Sequence, residues 1–392
     1  MSRQFLTGAA VLSDAEFLAG CGVLLHDRII EAVLPETEPV SADRIHLPPG
    51  SLLAPGLVDI QVNGGGGILF NDTPSPEAAR AIAAAHRGLG TTSLLPTLIT
   101  DTPEAMRQAA DTARDVVGPD SPILGIHFEG PFLSPDRPGV HDPALIRPPA
   151  EADLVLLESL AATLDGRVLL TLAPEMVDDA ALRRLAAAGV LLSAGHSAAT
   201  FERTGEALLA GVTGFTHLFN AMPPTAARAP GIVAAALLSQ GWCGVILDGI
   251  HVHPAMLRLL LASHPPDRIM LVSDAMSPTG TDMQAFRLQG RLILRSQGRL
   301  ATEDGTLAGA DICLADAVRA GVRLLGLSPA TALTMASSVP AAFLRLDHRI
   351  GRIAPGCRAD LMLLTPGLDL LGSWLAGAWD GQAGVLAEQA AA

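Results

Sequence analysis

Four stretches of the 392-residue chain place ligand-type or proton-carrying side chains at the ends of apolar runs: Glu129 in GIHFEGPFL, His196 in SAGHSAA, His217 in FTHLFNAMP and Asp274 in LVSDAMSPTG. Two imidazoles and a carboxylate suit zinc or a similar divalent ion, with positions left for water and a substrate carbonyl. The fourth residue, Asp274, could then move protons. Taken singly, each has a plainer reading. A strand-end histidine is commonly a hydrogen-bonded structural residue, and a strand-end Asp commonly caps the next helix. Their shared position at the ends of four separate runs makes coincidence the weaker explanation. His127, one pleat before Glu129, is expected to be structural or to support the ligands.

The elements that must position these groups are legible as alternation. From about Leu57, the runs LVDIQV, TTSLLPTLI, PILGIHF, RVLLTLA, VLLSAGH, VTGFTHLF, CGVILDGIHV and RIMLVSD alternate with Ala/Leu-rich amphipathic stretches such as PEAARAIAAAHRGLG, DDAALRRLAAAG and PAMLRLLLASH. Repeated strand-helix units predict a parallel sheet, and their number predicts a (β/α)8 barrel with its reactive groups at the carboxyl ends of the strands. An open doubly wound sheet would give the same local pattern. QAFRLQGRLILRSQGRLATEDGT reads as a hairpin excursion and DICLADAVRAGVRLL as the closing helix. Turn-rich ribbon at both ends predicts one small β-sandwich domain built from both termini, so residues 1–53 and 345–392 should flank a barrel over 54–344.

Composition narrows the partners. A formal net charge of -14 with no basic run excludes nucleic acid as the expected ligand. No apolar stretch approaches the roughly 18 residues of a membrane span. Cys21, Cys243, Cys313 and Cys357 are dispersed, which predicts neither a disulfide framework nor a zinc ribbon and suits a reducing cytoplasm. The chain has no lysine, so a Schiff-base lysine, a P-loop lysine and a carbamylated-lysine metal bridge are all excluded. The first run carries Gln61 and Asn63 where two-ion barrel hydrolases commonly show H-x-H. Amides are poor ligands beside imidazole, so this possible second-metal position is expected to be empty and one ion is expected.

At these motifs the sequence resembles the N-acetylglucosamine-6-phosphate deacetylase family of the amidohydrolase superfamily. The resemblance is carried by PGLVDIQVNGGGG, GIHFEGPFLSPDRPGVHDP, SAGHSAA, THLFNAMPP, LDGIHVHP, LVSDAMSPTG, DGTLAGA and GRIAPGCRADLMLL. It implies Glu129, His196 and His217 as metal ligands, Asp274 as acid-base residue and His141 as partner of the acetamido carbonyl. It implies further that Asn220 and Ala221 line the sugar site, that Leu307, Ala308 and Gly309 add substrate contacts, and that Arg228 and His251 hold a 6-phosphate. On sequence alone His253 is an equal candidate to His251. The implied cofactor is one divalent ion, zinc first, with Fe, Co or Mn as alternatives. The implied partners are a phosphorylated N-acetyl amino sugar and a second copy of the chain, with Arg228 and His251 contributed across the dimer interface. Deacetylation of the galactosamine epimer, another cyclic amide hydrolase or deaminase reaction, and a non-catalytic barrel scaffold remain as alternatives.

Overall fold

The structure, a computed structural model, describes residues 3–381 and 385–386. Its centre is a parallel sheet whose strands we number β1 to β8: Leu57–Val62, Thr91–Ile99, Gly125–Glu129, Arg167–Leu172, Leu191–Ala194, Val212–Phe215, Trp242–Val245 and Ile269–Leu271. All eight expected runs supply one of these strands. Their order in the sheet is their order in the chain, with no switch point, which rules out the open doubly wound alternative. Closure comes just past β8. There the Asp274 amide donates to the Gln61 carbonyl at 3.1 Å and the Asn63 amide donates to the Ala275 carbonyl at 2.9 Å.

Every residue of β1, β2 and β3 is buried, as a strand covered on both faces must be. Alternation sorts the two faces. Leu57, Leu94, Leu170 and Leu192 pack outward on the helices, whereas Val58, Ile60, Leu95 and Leu169 belong to an inner cluster closed at the amino end by helix Ser338–Phe343. The helices begin where side chains can satisfy their free amides: Ser75, Thr102, Asp178 and Thr200 cap Pro76–Arg87, Pro103–Val116, Asp179–Ala187 and Phe201–Leu209. The expected closing helix is Leu314–Ala320 and continues as a π turn over Gly321–Leu325.

One expectation needs correction. The excursion after β8 is an antiparallel meander of Ala285–Leu288, Arg291–Ser296, Arg299–Ala301 and Leu307–Ala310, a larger insert than a hairpin. Its last strand, LAGA, is too short and small to show a strand pattern in sequence. That strand returns the chain to the barrel mouth, where the Ala310 amide donates to the Asp274 carbonyl at 2.9 Å. The termini form two further sheets. One contains Ile29–Pro35, Cys21–His26, Arg3–Thr7 and Asp43–His46; the other joins Ala378–Gly381, Leu370–Leu375 and Leu361–Leu364 to Leu52–Pro55, Ala10–Ser13 and Glu16–Leu18. Leu6, Val23, Leu53, Leu361 and Trp374 fill the space between them. No helix among the described residues is long and apolar enough to cross a membrane.

Candidate active site

Glu129 ends β3, while His196, His217 and Asp274 lie two residues or slightly more beyond β5, β6 and β8. The last three adopt φ of 47°, 30° and 50°, a left-handed conformation that costs a non-glycine residue about 1 kcal/mol. Such strain persists where the surroundings over-determine it, and here it turns three side chains inward from the strand ends. They meet Glu129 closely. His217 Nε2 lies 2.8 Å and His196 Nε2 3.3 Å from Glu129 Oε1, and the two imidazole nitrogens are 3.1 Å apart.

That spacing fits a cation. Donor atoms about 2.0–2.2 Å from one ion stand about 3 Å from each other. His196 Nδ1 lies 3.0 Å from the Arg137 carbonyl; donating its proton there leaves Nε2 free as a ligand. Glu129, His141 and His196 also offer donor atoms within 4.8 Å of one another. Between the two sets we favour His217 over His141, because His141 Nε2 stands 3.9 Å from Glu129 Oε2. The Nδ1 of His141 accepts from the Thr100 amide at 3.3 Å and lies 2.8 Å from the Thr100 hydroxyl. The proton of the neutral ring is therefore on Nε2, the nitrogen that faces the cavity.

Gln61 and Asn63 turn their amide nitrogens toward carboxylates. Gln61 Nε2 donates to Glu129 Oε1 at 3.0 Å and to Asp274 Oδ1 at 3.2 Å, and Asn63 Nδ2 donates to Asp274 Oδ1 at 2.7 Å. Burial, together with the charge of Glu129, lifts Asp274 to about 6 despite those donors. Burial alone would raise Glu129 too, yet the adjoining His196 and His217 imidazoles hold it well below the usual carboxylate range. Burial and the neighbouring His196 push His141 down to about 3, which keeps its ring neutral. His127 lies deeper in the barrel, between the Thr97 and Thr171 hydroxyls at 3.2 and 2.8 Å, and burial lowers it to about 4. It ties its strand to both neighbours and does not line the cavity that holds the other histidines.

Asn63, Glu129, His141, His196, His217 and Asp274 share a cavity of about 270 Å³ at the carboxyl ends of the strands. Asn220, Ala221, His251, Leu307 and Gly309 line it as well. Ala308 does not; by strand alternation its side chain points into the small core of the insert. His251 is held by Asp248, whose Oδ2 is 2.6 Å from Nδ1, while His253 instead caps helix Pro254–Ser263 and is exposed. The structure thus separates two histidines that the sequence left equal. His251 lines the cavity of its own chain. Arg228 sits exposed at the tip of a tight turn closed by Ala226 and Ala229, outside the cavity. Thr100 and Asp248 are site residues that sequence reasoning missed. Thr100 directly follows β2, the same strand-end signal that singled out Glu129. A larger cavity of about 400 Å³ lies at the seam of the terminal sheets and the barrel's amino end, but it gathers no imidazole cluster.

A carboxylate, three imidazoles and an isolated acid at the mouth of a parallel barrel are the equipment of hydrolysis, and the amidohydrolase family model matches residues 52–383. The chain belongs to the amidohydrolase family. Among similar proteins, this amidohydrolase is 40% identical over 375 residues to the N-acetylgalactosamine-6-phosphate deacetylase of Shewanella sp. (strain ANA-3), covering 94% of each chain. It is 31% identical to the N-acetylglucosamine-6-phosphate deacetylase of Haemophilus influenzae, over 96% of this chain and 99% of the relative. The crystal structure of N-acetylglucosamine-6-phosphate deacetylase from Pasteurella multocida superposes with a TM-score of 0.92 at 32% identity, covering 97% of this amidohydrolase and all of that chain (100%).

Proposed function

We propose that this amidohydrolase hydrolyses the acetamide of N-acetylglucosamine 6-phosphate, releasing acetate and glucosamine 6-phosphate. The observation that carries the reading is the convergence of Glu129, His196 and His217 within 3.3 Å, with Asp274 and His141 on the same cavity. Membership of the family and the named activity of the relatives support it. A second reading, the galactosamine epimer, is favoured by the 40% identity to the Shewanella protein.

Glu129, His196 and His217 would hold one divalent cation, and two imidazoles with a carboxylate favour zinc over harder ions. When bound, such an ion supplies Lewis acidity toward the amide carbonyl and makes water a stronger acid. The remaining work belongs to the chain. Asp274, oriented by the Gln61 and Asn63 amides, takes a proton from the water that adds to the carbonyl carbon. It then delivers that proton to the amine nitrogen as the C–N bond breaks, which matters because an unprotonated amine is a poor leaving group. The neutral His141 donates its Nε2 proton in a hydrogen bond to the carbonyl oxygen as negative charge develops there. His251 would face the 6-phosphate from within the chain, and Arg228, whose planar fork suits phosphate oxygens, would come from the second subunit of a homodimer. We assign catalysis to residues 54–344 and a supporting role to 1–53 and 345–392. The four free cysteines agree with a cytoplasmic setting.

The test is acetate release by purified, metal-analysed protein from both N-acetylhexosamine 6-phosphates, with and without chelator. Expected is turnover that chelation abolishes and one added equivalent of metal restores. Absence of acetate from both sugars would end the proposal, and a preference for the galacto sugar would install the second reading.

A further inference from the structure

The insert is tied to the reaction centre by one side chain. Its first hairpin pairs Leu288 with Arg291 around the two-residue turn Gln289-Gly290, where φ is 48° and 82°. Two positive values mark a type I′ turn, a setting that favours Asn, Asp or Gly at the first position. Glutamine has no local advantage there and is strained by its backbone. Its longer side chain reaches out of the insert instead. Gln289 Nε2 donates to the Thr100 carbonyl at 2.7 Å, and Oε1 accepts from the Asp142 amide at 3.2 Å.

Those two contacts bracket His141. Asp142 is its neighbour in the chain, and Thr100 presents both its amide and its hydroxyl to His141 Nδ1. Thr100 is itself confined, since a Cβ at Gly130 would come within 2.2 Å of its hydroxyl oxygen. Beneath the pair, Leu288 and Ile293 of the insert pack with Ile99 and Val140, the residues preceding Thr100 and His141. The backbone that carries His141 and the residue that fixes its tautomer are thus both clamped by one amide.

We infer that Gln289 is a positioning residue: it holds Thr100 and the His141 loop together so that the Nε2 proton of His141 points at the reacting carbonyl. The inference rests on the hydrolytic reading of the site. Misplacing such a donor by about 1 Å can cost about 100-fold in rate.

Gln289→Asn suits the turn but is one methylene too short for either contact, and Gln289→Met keeps the length without the hydrogen bonds. In the metal-loaded full-length enzyme, each is expected to lower kcat about 10- to 100-fold with KM within about twofold. The melting temperature of Gln289→Asn should be equal to or above that of the wild type, an outcome that a merely structural role does not predict. In a His141→Asn background, adding Gln289→Asn should cost little more, because the two act through one group. Wild-type kcat in both Gln289 variants, or the full loss repeated in the His141→Asn background, would overturn the inference. A substrate-free arm separates this from failure of the reaction assignment. In ¹⁵N-histidine spectra, His141 should be the Nε2-protonated tautomer in the wild type and a tautomer mixture in Gln289→Asn. Identical spectra would overturn the positioning role even if the wild type released no acetate, whereas a missing turnover with changed spectra would overturn only the proposed reaction.

Discussion

At Asp274 two effects oppose each other: burial and the charge of Glu129 lift the carboxyl to about 6, while Asn63 donates a hydrogen bond that favours its ionised form. A general base must be ionised to accept a proton, so activity should fall as pH drops. The acid limb of kcat/KM is expected at or below about pH 6, because a bound cation favours the carboxylate further. A pH–rate profile checks this, and a limb centred above pH 7 would contradict it. Asp274→Asn should keep its metal and lose about 100-fold or more in kcat. The same pairing of assays separates the histidines. His217→Ala should lose bound metal on dialysis, whereas His141→Gln should retain it and lose about 100- to 1,000-fold in kcat, read by metal analysis beside acetate release. Metal loss in His141→Gln with retention in His217→Ala would reassign the ligands to the wider Glu129, His141 and His196 set.

Within the strands, polarity is placed by alternation, and β1 carries an informative case. Asp59 lies two residues before Gln61 and is wholly buried, with Oδ2 unpartnered and Oδ1 3.3 Å from the Gln61 and Ser273 amides. Burial raises it to about 7, well above its ordinary value of 3.8, despite a hydrogen bond from Ser273. A carboxyl with a raised folded pKa binds its proton more tightly in the native state. Its favourable contribution is therefore complete below about pH 4 and is lost as pH rises toward 7. Asp59→Asn removes the penalty of a buried charge, so it should raise the urea midpoint at pH 8 more than at pH 5. Equal shifts at both pH values would mean that Asp59 is not protonated in the folded barrel at pH 5. The strand ends show the same economy of position, since the left-handed turns at His196, His217 and Asp274 occur where each strand leaves the sheet.

Across the whole molecule, a chain with net charge -14 must concentrate positive charge locally to hold a phosphate. His251 lies in the wall of the cavity, whereas Arg228 is exposed on a turn outside it. Arg228→Ala should raise KM for the phosphorylated sugar with a smaller effect on kcat. If the arginine crosses between subunits, mixing Arg228→Ala with Asp274→Asn chains, assayed at substrate far below the raised KM where both variants turn over little, should recover about a quarter of wild-type activity. Half of the random dimers are then mixed, and each holds one complete site. No recovery after verified subunit exchange would place Arg228 outside the site or within its own chain's site.

Sequence by itself determined the parts that depend on local periodicity and on chemical type. Eight buried runs had to be strands, because β-branched and leucine-rich segments of that length bury both faces only in a covered parallel sheet. Their polar ends had to lie on one side, because a parallel sheet brings every carboxyl end to the same edge. What local pattern does not encode is which atoms meet across sequence separations of tens to hundreds of residues. Closure over an open sheet, the choice of His251 over His253, the inward amides of Gln61 and Asn63, and the reach of Gln289 from the insert to Thr100 were decided only by the folded chain. Side-chain direction there follows from packing around the cavity, and packing is a property of all the elements at once.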